Sequence, residues 1–179
     1  MLKNKGKILF LMWILFVSAF IWAMINQMPH KNIPEPIKIA VPETKPTSNV
    51  NPDSILATAQ KLLGSPYLEG GESPKGFDCS GFAYYVYQQN GLTIPRSSQT
   101  LFQDGQPVDK CSATKGDIIV FTGTNANDTT AGHVGIVIEN IDCKISFIHS
   151  SSGKVNGVTI SYLTDSHYEK RFLSIRRYL

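Results

Sequence analysis

One cysteine and two histidines have the side chains that nucleophilic acyl transfer requires. Cys79 follows Asp78, a predicted helix cap, so its thiol lies in the first turn of a helix. Unpaired backbone N–H groups and the helix dipole favour the thiolate there and lower its pKa. His133 and His149 lie on predicted strands, where one imidazole can take the thiol proton and the other can orient the first. The three residues predict a catalytic cysteine; the competing interpretation is that Cys79 is a small buried structural residue.

The strands that carry the histidines are predicted to form a hairpin. If Asn140-Ile141-Asp142 is its loop, Glu139 pairs with Cys143, and His133 then pairs with His149. Directly opposed residues on antiparallel strands have Cβ atoms about 5 Å apart. We therefore expect the two imidazoles to face each other on one face of the sheet. A register error of one residue would place them on opposite faces.

The same Cys-His-His set is also a reasonable zinc site, with water as the fourth ligand. The spacing does not favour this alternative, because no short ligand pair such as C-x-x-C or H-x-x-x-H occurs in the chain. We therefore predict neither a metal nor a cofactor, and a zinc hydrolase is kept as the alternative.

The elements around these residues predict an α+β domain. One helix is predicted to begin at Asn51-Pro52, a second runs from Cys79 to Asn90-Gly91, and Ser97 caps a short third helix. The predicted strands are 118–121, 133–139, 143–149, 158–161 and 172–178. Helices followed by strands are typical of helices packed on a largely antiparallel sheet.

Composition and charge exclude several classes of protein. The chain has 17 basic and 14 acidic residues and a net charge of +3, which is too small for the strong basic patch of a nucleic-acid binder. The hydrophobic content of 42% excludes disorder over the whole length. Because no glycine-rich phosphate-binding motif occurs, a nucleotide site is not indicated.

The first 52 residues differ from the rest of the chain. Three lysines precede an apolar run from Ile8 to Ile25, which at about 1.5 Å per residue approaches the ~30 Å hydrocarbon core of a bilayer. Residues 1–28 therefore predict an uncleaved membrane anchor, with a cleaved signal peptide as the alternative. The preceding lysines direct the remainder of the chain outward.

The next segment predicts a spacer. Residues 29–52 hold six of the ten prolines, as expected of a semi-rigid tether, and residues 53–179 form the predicted folded domain. This domain is expected in the cell envelope, facing the periplasm or exterior, or secreted if the N-terminal segment is cleaved. In such an oxidising compartment Cys111 and Cys143 are candidates for a disulfide, which leaves Cys79 free.

Five stretches of the domain resemble the NlpC/P60 cell-wall peptidases, in order and at the family's spacing. They are 64–71 with 76–82, 94–98, 115–117, 132–136 and 147–151. The resemblance implies a compact papain-like fold and a cysteine peptidase that cleaves amide bonds in peptidoglycan stem peptides. The usual bond joins the γ-carboxyl of D-glutamate to a diamino acid. Carried over by position, Cys79 is the nucleophile, His133 the base and His149 the third polar residue.

The resemblance also implies roles for residues around the nucleophile. Tyr67 matches the family tyrosine whose hydroxyl helps to hold the oxyanion, and a structural core tyrosine is the alternative. Asp78 and Ser80 match positions that line the substrate site. Arg96 matches the family's Pro-Arg segment, where an ion-pair role competes with substrate contact.

Two glutamates depart from the family pattern. Many members have an aromatic residue at the position of Glu69 and a small hydroxyl residue at the position of Glu72. The two carboxylates are expected to place negative charge near the cleft, which leaves the subsite preference open. The predicted partners are peptidoglycan stem peptides and, through the N-terminal helix, the membrane, with no nucleic acid. A catalytically silent peptidoglycan-binding module and a thiol acyltransferase are the rival functions.

Overall fold

The computed structural model describes Trp22 and residues 50–179. The predicted anchor over residues 1–28 and nearly all of the tether over 29–52 therefore lie outside the described residues. Within the part of the chain that is described, no helix combines the length and the apolar character needed to cross a membrane.

Three helices begin where the sequence predicts. They are α1 (Pro52–Gln60), α2 (Cys79–Gln89) and α3 (Ser98–Gln103). The side chains of Asn51, Asp78 and Ser97 cap them by accepting a hydrogen bond from a backbone N–H of the first turn. These caps satisfy donors that have no partner inside the helix, so the three helix starts are confirmed. A fourth helix, α4 (Ser166–Glu169), and a 3-10 turn (Lys110–Ser112) were not indicated by the sequence.

The strands form one two-stranded and one six-stranded sheet. The small hairpin pairs β1 (Glu72–Ser73) with β2 (Gly76–Phe77) just before α2. The large sheet is antiparallel, in the order β3-β8-β4-β5-β6-β7. Its strands are β3 (Gln106–Val108), β4 (Ile118–Thr122), β5 (Ala131–Ile141), β6 (Lys144–Ser151), β7 (Gly157–Tyr162) and β8 (Phe172–Arg177). The predicted α+β class with a largely antiparallel sheet is confirmed.

The hairpin of β5 and β6 has a different register from the predicted one. Its turn is Asp142-Cys143, where both residues have positive φ, and Ile141 pairs with Lys144. This turn displaces the pairing by three residues from the predicted one, and a β-bulge between Val137 and Glu139 then shifts it back by one. The prediction that His133 pairs directly with His149 is therefore wrong. The total shift of two residues at the histidines leaves both on the predicted face.

The sheet separates two apolar clusters. The helices pack on one face, where Phe82 and Val86 of α2 join Val134 and Ile136 of β5. The second cluster covers the other face and is formed mainly by Ile119, Phe121, Val137, Ile145, Phe147 and Ile175. The histidine rings lie at the edge of this second cluster, with the centroid of Phe121 6.0 Å from that of His133.

A disulfide closes the end of the sheet. Cys111 in the 3-10 turn is bonded to Cys143 in the turn of the β5–β6 hairpin. The Asn140 side chain supports the same junction by donating hydrogen bonds to the Lys110 and Ala113 carbonyls. Cys79 is the free cysteine of the chain.

Candidate active site

The Cys79 thiol lies at the first residue of α2, against the start of β5. Its sulfur is 3.7 Å from the Ser98 hydroxyl and 4.0 Å from the Gly132 carbonyl oxygen. The backbone N–H groups of Ser80 and Val134 also face the sulfur. Because Gly132 and Val134 flank His133, the thiol lies beside the backbone that carries this histidine. Among the described residues, no hydrogen bond joins the sulfur to an imidazole in the unliganded site.

The residues on either side of the nucleophile belong to an ion-pair network. Both carboxylate oxygens of Asp78 pair with the Arg96 guanidinium, at 3.0 and 2.9 Å. Arg96 also donates to Ser80 Oγ at 3.0 Å and to Glu72 Oε2 at 2.9 Å. Asp78 Oδ1 additionally caps α2 through the Gly81 N–H at 2.6 Å. This network fixes the N-terminus of α2 and therefore the direction of the thiol.

The glycine two residues after the nucleophile is required by this network. A Cβ on Gly81 would lie 2.1 Å from the Gly71 carbonyl oxygen and 2.7 Å from Arg96 Nη2. Both distances are far inside van der Waals contact. The first turn of α2 thus approaches the β1–β2 segment as closely as a bare backbone allows.

The two histidine rings are in contact, as the sequence predicts. His133 Nε2 and His149 Nδ1 are 2.8 Å apart, and the rings are nearly perpendicular. The contact is diagonal across the strands, because the residue facing His149 on β5 is Gly135. A Cβ there would lie 3.3 Å from His149 Cβ and 2.6 Å from Phe147 Cδ2. The glycine therefore leaves the space through which His133 reaches His149.

Burial controls the ionisation of the imidazoles. His149 is fully buried, and desolvation, followed by the positive charge of Arg171, lowers its pKa to about 4. The pKa of His133 is lowered well below its usual value by burial, and then by His149, Arg171 and His167. Both rings are therefore neutral at neutral pH, which is the state that a general base requires.

The same effect reverses one prediction from the sequence. Burial raises the pKa of the Cys79 thiol, and it outweighs the opposing hydrogen bonds from Ser98 and Val134. The expected lowering by the helix N-terminus is therefore wrong in direction for the unliganded site. The resting pair is a thiol and a neutral imidazole.

Arg171 is the buried cation of the site, with 6% of its surface exposed. Its Nη2 donates to the Thr122 carbonyl at 2.9 Å, and Nη1 contacts His167 Nε2. Within residues 50–179, no carboxylate forms a salt bridge with it. Its charge therefore acts on the imidazoles without a neutralising partner.

Tyr67 lies near the nucleophile, in a loop that bridges to β2. Its backbone pairs with Phe77, two residues before Cys79. Burial raises the pKa of its hydroxyl, and the nearby Cys79, Asp78 and Glu69 raise it further. The neutral phenol is thus a hydrogen-bond donor at physiological pH and lies close enough to the thiol to sense its charge.

The two departing glutamates have different environments. Glu72 is paired with Arg96, so its charge is compensated. Glu69 is exposed, and no salt bridge to it occurs within residues 50–179. The expected negative charge at the cleft therefore comes from Glu69 alone.

A cavity of about 290 Å³ lies between α3 and the segment that leads into β5. It is lined by Gln99, Phe102, Gln103 and 129–131, which directly adjoin the Ser98 and Gly132 contacts of the thiol. A larger cavity of about 690 Å³ lies along α1, and none of the candidate site residues lines it. Among the described residues, no group of three or more His, Cys, Asp or Glu side chains has a metal-binding arrangement.

Sequence reasoning missed four side chains of the site. Ser98 was visible as part of a matched stretch, but nothing indicated that it touches the thiol. Ser161, Tyr168 and Arg171 gave no signal, because their positions depend on how β7 and α4 fold back on β6.

The comparison with known families agrees with this arrangement. The NlpC/P60 family pattern matches residues 64–177, which include every candidate site residue. The chain belongs to the NlpC/P60 family. The predicted family membership and the predicted fold are thereby confirmed.

Two of the similar proteins come from Bacillus. The chain is 38% identical over 127 residues to a gamma-D-glutamyl-L-lysine dipeptidyl-peptidase of Bacillus cereus, covering 71% of the chain and 36% of that protein. It is 33% identical over 131 residues to the probable peptidoglycan endopeptidase LytE of Bacillus subtilis, covering 73% of the chain and 36% of the relative. The chain thus corresponds to about a third of the length of these relatives.

A solved structure gives the same result for the fold. The crystal structure of an NlpC/P60 family protein from Bacillus cereus superposes with a TM-score of 0.65 at 35% identity. The match covers 72% of this chain and 40% of that protein.

Proposed function

We propose that this protein is a cysteine peptidase that hydrolyses amide bonds in peptidoglycan stem peptides. The observation that carries the proposal is a free thiol at a helix N-terminus, beside the backbone of a histidine that is itself bonded to a second histidine. Family membership and the names of the relatives support peptidoglycan as the substrate. The bond between D-glutamate, through its γ-carboxyl, and a diamino acid is the proposed site of cleavage.

The proposed reaction begins with proton transfer from Cys79 to His133. The neutral His133 ring accepts the proton as the sulfur attacks the amide carbonyl, so a stable thiolate is not needed before substrate binds. Catalytic hydrogen bonds are often long in unliganded enzymes and shorten in the complex. His133 then donates the proton to the leaving amine, and water hydrolyses the thioester.

The developing oxyanion needs donors that do not have to reorganise. The Cys79 N–H belongs to the first turn of α2, where no helical acceptor is available. The Tyr67 hydroxyl is the second proposed donor, held neutral by its raised pKa. Asp78 and Ser80 are proposed to line the acyl side while the Arg96 network holds them in place.

The test is digestion of purified peptidoglycan by the full chain in a mild non-ionic detergent, with mass spectrometry of the products. We expect new amino termini on the diamino acid. Cys79→Ala and His133→Ala should each abolish them, and His30→Ala, which alters a histidine of the predicted tether, should not. Retained cleavage by Cys79→Ala would refute the proposal.

The same assay separates the rival functions. A silent binding module would sediment with peptidoglycan but release no product in the wild-type protein. A thiol acyltransferase would give products carrying an added amine when glycine amide is supplied. Inhibition by a chelator together with retained activity in Cys79→Ala would indicate a zinc hydrolase instead.

The cell-envelope location is part of this proposal. A peptidoglycan substrate requires the domain to lie outside the cytoplasmic membrane, and the Cys111–Cys143 disulfide is typical of oxidising compartments. Anchoring by residues 1–28 stays a prediction. Membrane fractionation, followed by protease treatment of intact spheroplasts, would test both the anchor and the orientation.

A further inference from the structure

The second histidine of the pair has a fully defined set of partners. His149 is completely buried, and its Nδ1 faces His133 Nε2. Its other nitrogen, Nε2, faces two hydroxyl groups, Ser161 Oγ at 3.1 Å and Tyr168 Oη at 3.3 Å. Ser161 comes from β7 and Tyr168 from α4, so two separate elements converge on a single nitrogen.

The base function of His133 requires one particular tautomer. To accept a proton from Cys79 at Nδ1, the neutral ring must carry its hydrogen on Nε2 and donate it to His149 Nδ1. His149 is neutral as well, so its own hydrogen must then lie on Nε2. A buried N–H without an acceptor is costly. Two hydroxyl oxygens at Nε2 can accept this hydrogen, so the groups on the far side of His149 stabilise the base tautomer of His133.

We propose that the hydroxyls of Ser161 and Tyr168 are positioning groups that accept the His149 Nε2–H and thereby hold His133 in its base tautomer. This inference rests on the proposed function. With no acceptor at Nε2, His149 would favour a hydrogen on Nδ1. That hydrogen would point at His133 Nε2, and the hydrogen of His133 would move to Nδ1, where it blocks proton transfer from the thiol.

The surroundings hold the two hydroxyls in place. The Tyr168 ring lies edge-on to His149, with centroids 5.4 Å apart, and nearly parallel to His133. The Arg171 guanidinium lies over the Tyr168 ring, 5.8 Å from its centroid. Ser161 pairs with Phe147 on β6, which places its side chain diagonally next to His149. Neither hydroxyl has to move for the hydrogen bond to form.

The test compares Ser161→Ala, Tyr168→Phe and the double variant in the full chain. The matched control is the double variant Ser146→Ala with Tyr162→Phe, which removes the same two hydroxyls from a cross-strand pair on β6 and β7. With four histidines in the chain, selective ¹⁵N-histidine labelling gives a simple spectrum. Two-bond ¹⁵N–¹H correlations report which ring nitrogen carries the hydrogen.

We expect wild type and control to show His133 and His149 protonated on Nε2. Each single variant keeps one acceptor and should lose less than about threefold in kcat. The double variant should populate the other tautomer of both rings and lose about 10- to 100-fold in kcat with little change in KM. Ser161→Thr in the Tyr168→Phe background restores a hydroxyl and should recover most of the loss.

Unchanged tautomers in a folded double variant, or failure of the threonine to restore them, would overturn the inference. If the double variant does not fold, Ser161→Cys with Tyr168→Phe takes its place, because the thiol keeps the side-chain volume but is only a weak hydrogen-bond acceptor; unchanged tautomers there would overturn the inference equally. The spectra do not depend on peptidoglycan cleavage. A wild-type protein with the expected tautomers but no peptidase activity would contradict the proposed function and leave this inference intact.

Discussion

The buried His149 makes the stability of the protein depend on pH in a calculable way. Its pKa is about 4 in the folded state, whereas an unfolded histidine has a value near 6.5. Below about pH 6.5 the unfolded chain therefore binds a proton that the folded protein excludes. The stabilisation is complete above pH 6.5 and is lost as the pH falls toward 4. Linkage gives a loss of about 2 kcal/mol in the free energy of unfolding between pH 7 and pH 5.

The perturbation is His149→Gln, which removes the titrating group but keeps a polar side chain. Urea unfolding of the full chain at pH 7 and pH 5, followed by far-ultraviolet circular dichroism, gives both free energies. Tryptophan fluorescence is unsuitable, because Trp13 and Trp22 both precede the folded domain. Between the two pH values, the wild-type protein should lose about 2 kcal/mol more than the variant. His30→Gln is the control, because that residue precedes the folded domain in the sequence. Equal losses in wild type and His149→Gln would refute the assignment of a buried neutral imidazole.

Three further predictions follow from the packing and the thiol environment. Reducing the Cys111–Cys143 disulfide, which spans a separation of 32 residues, should lower the free energy of unfolding by about 3–4 kcal/mol, measured by urea titration with and without reductant. Gly81→Ala should cost about 1–3 kcal/mol and lower the melting temperature, because its Cβ would lie 2.1 Å from the Gly71 carbonyl oxygen; an unchanged melting temperature would contradict the close approach. The rate of Cys79 alkylation by iodoacetamide should keep rising with pH through about 8.5 without levelling off, whereas a plateau from acidic pH would indicate a preformed thiolate–imidazolium pair.

Local signals in the sequence were sufficient for the helices. Asn51, Asp78 and Ser97 each satisfy a first-turn N–H within a few residues, so the cap and the helix start depend on the same short segment. The position of Cys79 at the start of α2 follows from the Asp78 cap alone. The partnership of this thiol with His133, which lies far away in sequence, was implied by the resemblance to the family.

The register of the histidine hairpin depended on features that the sequence does not mark. The turn is a two-residue turn at Asp142-Cys143, and Cys143 is also held by the disulfide. The bulge between Val137 and Glu139 then shifts the pairing back by one residue. The histidines still meet because the two changes together shift the pairing by an even number. Successive side chains of a strand point to opposite faces of the sheet, so a shift by an even number of residues leaves each side chain on the same face.

The environment of the thiol and imidazoles could not be predicted, because it is produced by distant parts of the chain. A helix N-terminus favours a thiolate, but burial of Cys79 against the start of β5 opposes it more strongly. Arg171 lies just before β8, four residues after His167. Its unpaired charge disfavours imidazolium in the same region. Neutral reactants cost less to bury than an ion pair in an apolar setting. In the proposed reaction the proton stays on sulfur until a substrate carbonyl arrives, and the orientation of the His133 acceptor nitrogen is then the decisive requirement.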